Sequence, residues 1–186
     1  MRKIPRNLEN PIDNVLIDIS DKMSNFHKSL NFTPNTLTTF SLLFGLLSGA
    51  FFYKNYKILA SLLFFISYFY DCADGFYARK YKMVSKFGDY YDHIVDMTKM
   101  TLIVSLMLYK DANKFLTIFP ILLIIGFIML MHMGCQEEMY SEEHECASLS
   151  LLKKICTHDP ENTMKITKYF TCGTFVIIFC FVIATY

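Results

Sequence analysis

Four aspartates interrupt two of this chain's hydrophobic runs, and no other feature restricts the fold as much. Residues 37–53, 58–70, 100–109, 115–133 and 169–186 contain no Asp, Glu, Lys or Arg. A membrane-spanning helix needs about 20 mostly apolar residues. The first, fourth and fifth runs meet or nearly meet that length alone. The second and third reach it only if their helices continue into the charged stretch 71–96. Two spans must then carry Asp71, Asp74, Asp92 and Asp96 into the bilayer. The composition leaves little choice, because 53% of the 186 residues are hydrophobic and only 19% are charged. An ordinary soluble domain carries roughly 25% charged residues. A mean hydropathy of +0.31 excludes a disordered or nucleic-acid-binding class. A net charge of +1 gives no attraction to a polyanion.

The expected fold is therefore all-α, a polytopic transmembrane bundle of five or six spans preceded by an amphipathic helix. Residues 1–33 read as a cytoplasmic N-terminal segment and 34–186 as the transmembrane domain. In 11–30, Ile12, Val15, Leu16, Ile19, Met23, Phe26 and Leu30 recur at steps of three and four. Asp13, Asp18, Asp21 and Lys28 fall mainly on other faces, which predicts a helix in the membrane interface or one packed on the protein's own surface. With spans near 37–53, 57–79, 88–109 and 113–134, thirteen Lys and Arg fall on the N-terminal side. Four fall opposite (Lys54, Lys57, Lys110 and Lys114), so the N-terminus is expected in the cytoplasm. The start MRKIPRNLENPIDN has no apolar core of a secretory signal. The six cysteines form no CxxC pair, and no disulfide framework is expected.

Asp71 and Asp74 are three apart and Asp92 and Asp96 four apart, so each pair shares a helix face. At 1.5 Å per residue, both pairs lie roughly 5–12 Å inside the same membrane boundary. Two antiparallel helices thus bring four carboxylates to one level. One Asp at mid-span costs about 2.5–3.5 kcal/mol, and like charges this close cannot all ionise without a counter-charge. Carboxylate oxygens are hard ligands, so one or two Mg²⁺ or Mn²⁺ ions would neutralise the cluster. A salt-bridge network with Arg79 and Lys99, or a cation path, are the other readings of the same spacing.

The stretch Asp71-x2-Asp74-Gly75-x2-Ala78-Arg79-x8-Gly88-x3-Asp92-x3-Asp96 resembles the signature of the CDP-alcohol phosphatidyltransferases at each of its eight fixed positions. The Pro34-Asn35-x2-Thr38 entry to the first span is similar to that family's as well. The resemblance covers about residues 30–110 well and the remainder only as hydrophobic spans. It implies a multi-pass integral membrane enzyme of phospholipid biosynthesis, usually six-spanning and homodimeric, dependent on Mg²⁺ or Mn²⁺ and open to the cytoplasm. Its substrates would be a CDP-alcohol donor and an alcohol acceptor, with CMP released. By the resemblance, Asp71, Asp74 and Asp92 are metal ligands, and Asp96 is both a ligand to a second metal and the catalytic base. Gly75 would admit the nucleotide, Arg79 and Ser85 would hold its phosphates, and Asn35 and Thr38 would line its site. The donor, CDP-diacylglycerol or CDP-choline/ethanolamine, and the acceptor stay open. Asp92-His93 resembles the aminoalcohol branch.

Other residues read more plainly. Asp89 lies off the shared face, and His93 points about 100° from Asp92. Lys99, three after Asp96, is expected to pair with that carboxylate or to meet a phosphorylated acceptor. Gly45 and Gly49 form GxxxG, expected to pack within the chain. His132, Cys135, His144, Cys146, Cys156 and His158 are zinc-capable types, but their spacing fits no common finger. Residues 147–156 are too short and basic to cross, which leaves five spans. An Asp-rich Mg²⁺-dependent prenyltransferase of the UbiA type and a non-enzymatic cation-binding or transport protein are the alternative classes. The former would not require Gly75, Ala78, Arg79 and Gly88.

Overall fold

The helix boundaries are written in capping residues. The Asn10 side chain accepts the Ile12 N–H at 2.8 Å, and Pro11 opens α1 (Pro11–Ser29). Thr33 and Thr36 satisfy each other's backbone N–H groups at the start of α2 (Pro34–Tyr53). Asn31 (φ 55°) and Asn55 (φ 66°) follow α1 and α2 in the left-handed region, which Asn tolerates better than most residues. Then come α3 (Lys57–Lys80), the 55-residue α4 (Lys86–Tyr140), a 3-10 turn Ser150–Ile155, α5 (Pro160–Thr167) and α6 (Cys172–Thr185). This computed structural model describes residues 2–140 and 150–186, and its regular structure there is entirely helical.

Four stretches are long and apolar enough to cross a membrane: α2, α3, α4 and Pro160–Thr185. At 1.5 Å per residue α4 would be about 80 Å long, far beyond a roughly 30 Å bilayer core. It breaks at Asp111 (φ −159°, ψ 89°), so residues 86–110 and 112–140 can cross in turn and give five candidate crossings. The break is locally satisfied. The Asp111 carboxylate accepts the Lys114 N–H at 3.0 Å and so caps the new helix. The Tyr186 hydroxyl lies 2.7 Å from the Met107 carbonyl and also meets that of Asp111. The Lys110 ammonium donates to the Tyr53 carbonyl and the Asn55 side chain, which closes the same end of the bundle.

The core lies between α2, α3, the first half of α4 and α6, with Phe52, Phe64, Ile103, Met107, Phe179 and Ile183 at its centre. Small hydroxyls join the helices where apolar packing alone gives little specificity. Ser67 Oγ donates to the Ser41 carbonyl at 2.7 Å, Ser48 Oγ to that of Ala60 at 2.8 Å, and Ser61 Oγ to that of Cys180 at 2.8 Å. Ile58, Ile121, Ile124, Phe127 and Phe181 stand exposed, as a lipid-facing surface requires. Gly45 and Gly49 face Lys99 and Leu102 of α4, so the GxxxG stripe packs within the chain as expected.

The polar side of α1 is its buried side: Asp13, Ser20, Ser24 and His27 face the protein with Leu16 and Ile17, while Val15, Ile19, Phe26 and Leu30 are exposed. Asp13, on that polar side, accepts the Tyr68 hydroxyl at 2.7 Å and the Gly173 N–H at 3.2 Å. Burial pushes its carboxyl up to about 6, against the opposing pull of those two donors. One expectation is overturned, and it concerns cysteine. Cys135 and Cys156, 21 residues apart, form a disulfide between the last turns of α4 and the residue that follows the 3-10 turn Ser150–Ile155. Spacing could not reveal it, because the pairing depends on how the chain folds back after α4. His132 donates to or accepts from the Thr167 hydroxyl at 2.9 Å. His144 and Cys146 lie outside the described residues.

Candidate active site

α3 and the first half of α4 carry the four aspartates, and α2 packs against both. The i, i+3 and i, i+4 spacings turn the pairs toward each other. One carboxylate oxygen from each of Asp71, Asp92 and Asp96 lies within 4.8 Å of the others. Among the described residues this is the one set of three His, Cys, Asp or Glu side chains that converges so closely. Asp74 sits beside it, buried, with Oδ2 accepting the Thr38 hydroxyl at 2.5 Å.

The chemistry of this donor set fits a hard divalent cation. The Oδ1 atom of Asp92 is buried and has no hydrogen-bond partner. An orphaned carboxylate oxygen beside two further carboxylates is costly unless a cation completes it. Asp71, Asp92 and Asp96 are the residues that could hold such an ion, with Asp74 adjacent.

Lys99 is the cluster's internal counter-charge. Its ammonium lies 3.0 Å from Asp71 Oδ1, 2.7 Å from Asp96 Oδ1 and 2.7 Å from Ser41 Oγ. The pairing with Asp96 expected from the i, i+3 spacing is therefore present, and Asp71 joins it. Ser41, Ser67 and Gly45 were not singled out as site residues in the sequence. Their only signal was that small residues recur on α2 and on α3 within the apolar runs.

The remaining sequence-derived positions form small local groups. A side chain at Gly75 would meet the Arg79 guanidinium, 3.3 Å from its Cβ position, so the glycine leaves the surface beside that cation open. Gly88 lies against the Ser85 hydroxyl and the Asn35 side-chain oxygen, which come within 3.1 and 3.2 Å of the same point. Asn35, Ser85 and Gly88 thus form one group, although Asn35 starts α2 and the other two flank the start of α4. Thr38 is buried and reaches the site through Asp74. The His93 Nδ1 lies 3.9 Å from Asp92 Oδ2, beside the cluster and not within it. Asp89 is likewise outside it.

An apolar cavity of about 390 Å³ opens between the two halves of α4 and α6. Met100 and Val104 line it from the first half of α4, Phe119, Leu123 and Phe127 from the second half, and Phe175 from α6. Met100 is four residues after Asp96, so the cavity begins about one turn from the cluster.

The CDP-alcohol phosphatidyltransferase family model matches residues 31–185. Archaetidylinositol phosphate synthase of Pyrococcus horikoshii is 32% identical over 112 residues, 60% of this chain and 58% of that protein. A probable CDP-diacylglycerol–inositol 3-phosphatidyltransferase 2 of Arabidopsis thaliana is 32% identical over 89 residues, 47% of this chain and 39% of that protein. An uncharacterized protein of Aquifex aeolicus is 33% identical over 79 residues, 42% of this chain and 40% of that protein. The matched stretch therefore spans less than two thirds of each relative. The family match extends through the C-terminal helices, where the sequence alone offered only hydrophobic spans. The chain is a multi-pass membrane protein of the CDP-alcohol phosphatidyltransferase family.

Proposed function

We propose that this chain transfers the lipid-phosphate group of a CDP-activated lipid to a hydroxyl of an inositol-type polyol, with release of CMP. The observation that carries the reading is the meeting of Asp71, Asp92 and Asp96 one helical turn from an apolar cavity. A lipid-linked donor can place its chains along Met100 and Phe119 while its pyrophosphate reaches the carboxylates. The names of the Pyrococcus and Arabidopsis relatives supply the acceptor class.

A divalent ion, Mg²⁺ or Mn²⁺, when bound, supplies positive charge to the pyrophosphate and its developing negative charge. Asp71, Asp74 and Asp92 would hold and orient that charge. Arg79, beside the open face of Gly75, binds the nucleotide phosphates, with Ser85 and Asn35 at the rim. Asp96 has a side chain 46% exposed and lies one helical turn before Met100 of the cavity lining, which supports its meeting the acceptor. It takes the acceptor's hydroxyl proton as the oxygen attacks the phosphorus that bears the lipid alcohol. The new P–O bond forms, the bond to the CMP phosphate breaks, and CMP leaves with the electron pair. The excess of basic residues on the N-terminal side supports a cytoplasmic position for this end of the bundle. The exposed Val15, Ile19 and Phe26 then rest α1 in the lipid interface.

Thermal stabilisation in Mg²⁺ tests the donor, because a ligand stabilises the state that binds it. CDP-diacylglycerol should raise the midpoint more than CDP-choline does. A larger rise with CDP-choline would move the chain to the aminoalcohol class that Asp92-His93 resembles.

A further inference from the structure

We infer that Lys99 is the site's built-in second cation, so that the carboxylate cluster takes one divalent ion and not two. The inference rests on the metal-dependent reading above. A second ion that used Asp96 as a ligand would have to displace the Lys99 ammonium, which bridges Asp71 Oδ1 at 3.0 Å and Asp96 Oδ1 at 2.7 Å.

The lysine is held there by more than its two carboxylates. Ser41 Oγ accepts a third ammonium hydrogen bond at 2.7 Å, and Ser41 is itself tied to α3 through Ser67. The three donors of the ammonium are thereby matched to three acceptors from α2, α3 and α4. The Lys99 side chain is only 6% exposed, and its stem lies where α2 has no side chain. A Cβ added at Gly45 would stand 2.5 Å from Lys99 Cγ and 2.7 Å from Cδ. A charge this deep in a membrane helix is unfavourable unless its partners are fixed, and here a glycine socket and a serine fix them.

The arrangement divides the cluster. Asp92 Oδ1, buried and without a partner, marks the side that still needs a cation. The Asp71–Asp96 side already has one. Lys99 is thus a positioning residue: it fixes the Asp96 carboxylate and leaves its exposed edge free for the acceptor's proton.

Counting bound Mn²⁺ on the purified full-length protein tests this, by equilibrium dialysis with electron paramagnetic resonance of the bound ion. The wild type should bind one Mn²⁺ per chain with the spectrum of an isolated ion. Lys99→Met should bind two, with the broadened spectrum of neighbouring ions. Two ions in the wild type, or one in Lys99→Met, would overturn the inference while leaving the metal-dependent reading intact. No bound Mn²⁺ in the wild type would overturn that reading, and the inference with it. If Lys99→Met does not accumulate, the wild-type count decides alone. Ser41→Ala, which removes the ammonium's anchor, should then admit a weaker second ion.

Discussion

Asp13 and Asp92 are both aspartates drawn into the same half of the bundle, and α3 serves both. Tyr68 of α3 donates to Asp13, and three residues later Asp71 meets the cluster that contains Asp92. Asp13 has each oxygen engaged, one by the Tyr68 hydroxyl and one by the Gly173 N–H. Asp92 keeps a buried oxygen without a partner. A carboxylate that the fold satisfies holds helices together. One that the fold leaves incomplete is available to a ligand, and its cost is met only when that ligand binds.

The comparison can be broken by substitution. On the ligand side, Asp96→Ala should lower CMP release by about 10²–10⁴-fold, the usual contribution of a positioned general base. Asp92→Asn should also abolish turnover, yet leave the thermal midpoint of the metal-free protein unchanged or higher, because the orphaned charge is gone. On the structural side, Asp13→Ala should do the reverse. It leaves Tyr68 and Gly173 without an acceptor and should cost about 2–3 kcal/mol of stability. The number of Mn²⁺ ions bound should not change.

Titration sharpens the contrast. The folded Asp13 carboxyl is pushed up to about 6 from 3.8, chiefly by burial. Between these values the folded state holds more protons than the unfolded state, so stability falls as pH rises through that window. A shift of about two units corresponds to about 3 kcal/mol at most. Asp13→Asn should flatten the dependence of the thermal midpoint between pH 4 and 6. An unchanged slope in that variant would show that Asp13 is not its source.

The smallest effect belongs to the opposite end of the bundle. Tyr186→Phe removes the hydroxyl that meets the Met107 and Asp111 carbonyls at the break in α4. It should cost about 1 kcal/mol in thermal stability, with Mn²⁺ binding and CMP release unaffected.

The same contrast explains what the sequence disclosed. Helical periodicity and a charge-free background made Asp71, Asp92 and Asp96 legible, because in a membrane a carboxylate needs a reason. The five candidate crossings followed from run lengths, and the i, i+3 spacing gave the Lys99–Asp96 pair. In α1, periodicity alone could not choose between lipid and protein for the apolar side. Beside a membrane the lipid competes for apolar residues, and small polar residues with Asp13 take the interior. Gly45, Ser41 and Ser67 were legible only as small residues, since their purpose depends on a lysine 54, 58 and 32 residues away in sequence. The Cys135–Cys156 bond was hidden for the same reason, because it depends on how the chain returns after α4. The family match over residues 31–185 favours the phosphotransferase class over the prenyltransferase and transport alternatives that the Asp spacing alone had left open.

The central claim is that the carboxylates beneath this face of the bundle carry out a phosphotransfer. CMP release tests it most directly, with purified protein in Mn²⁺ given CDP-diacylglycerol and inositol or inositol phosphate. The account predicts CMP formation that requires both substrates and is lost in Asp96→Ala. No CMP from a wild type that is folded and binds Mn²⁺, with these or any other CDP-alcohol and acceptor, would contradict it.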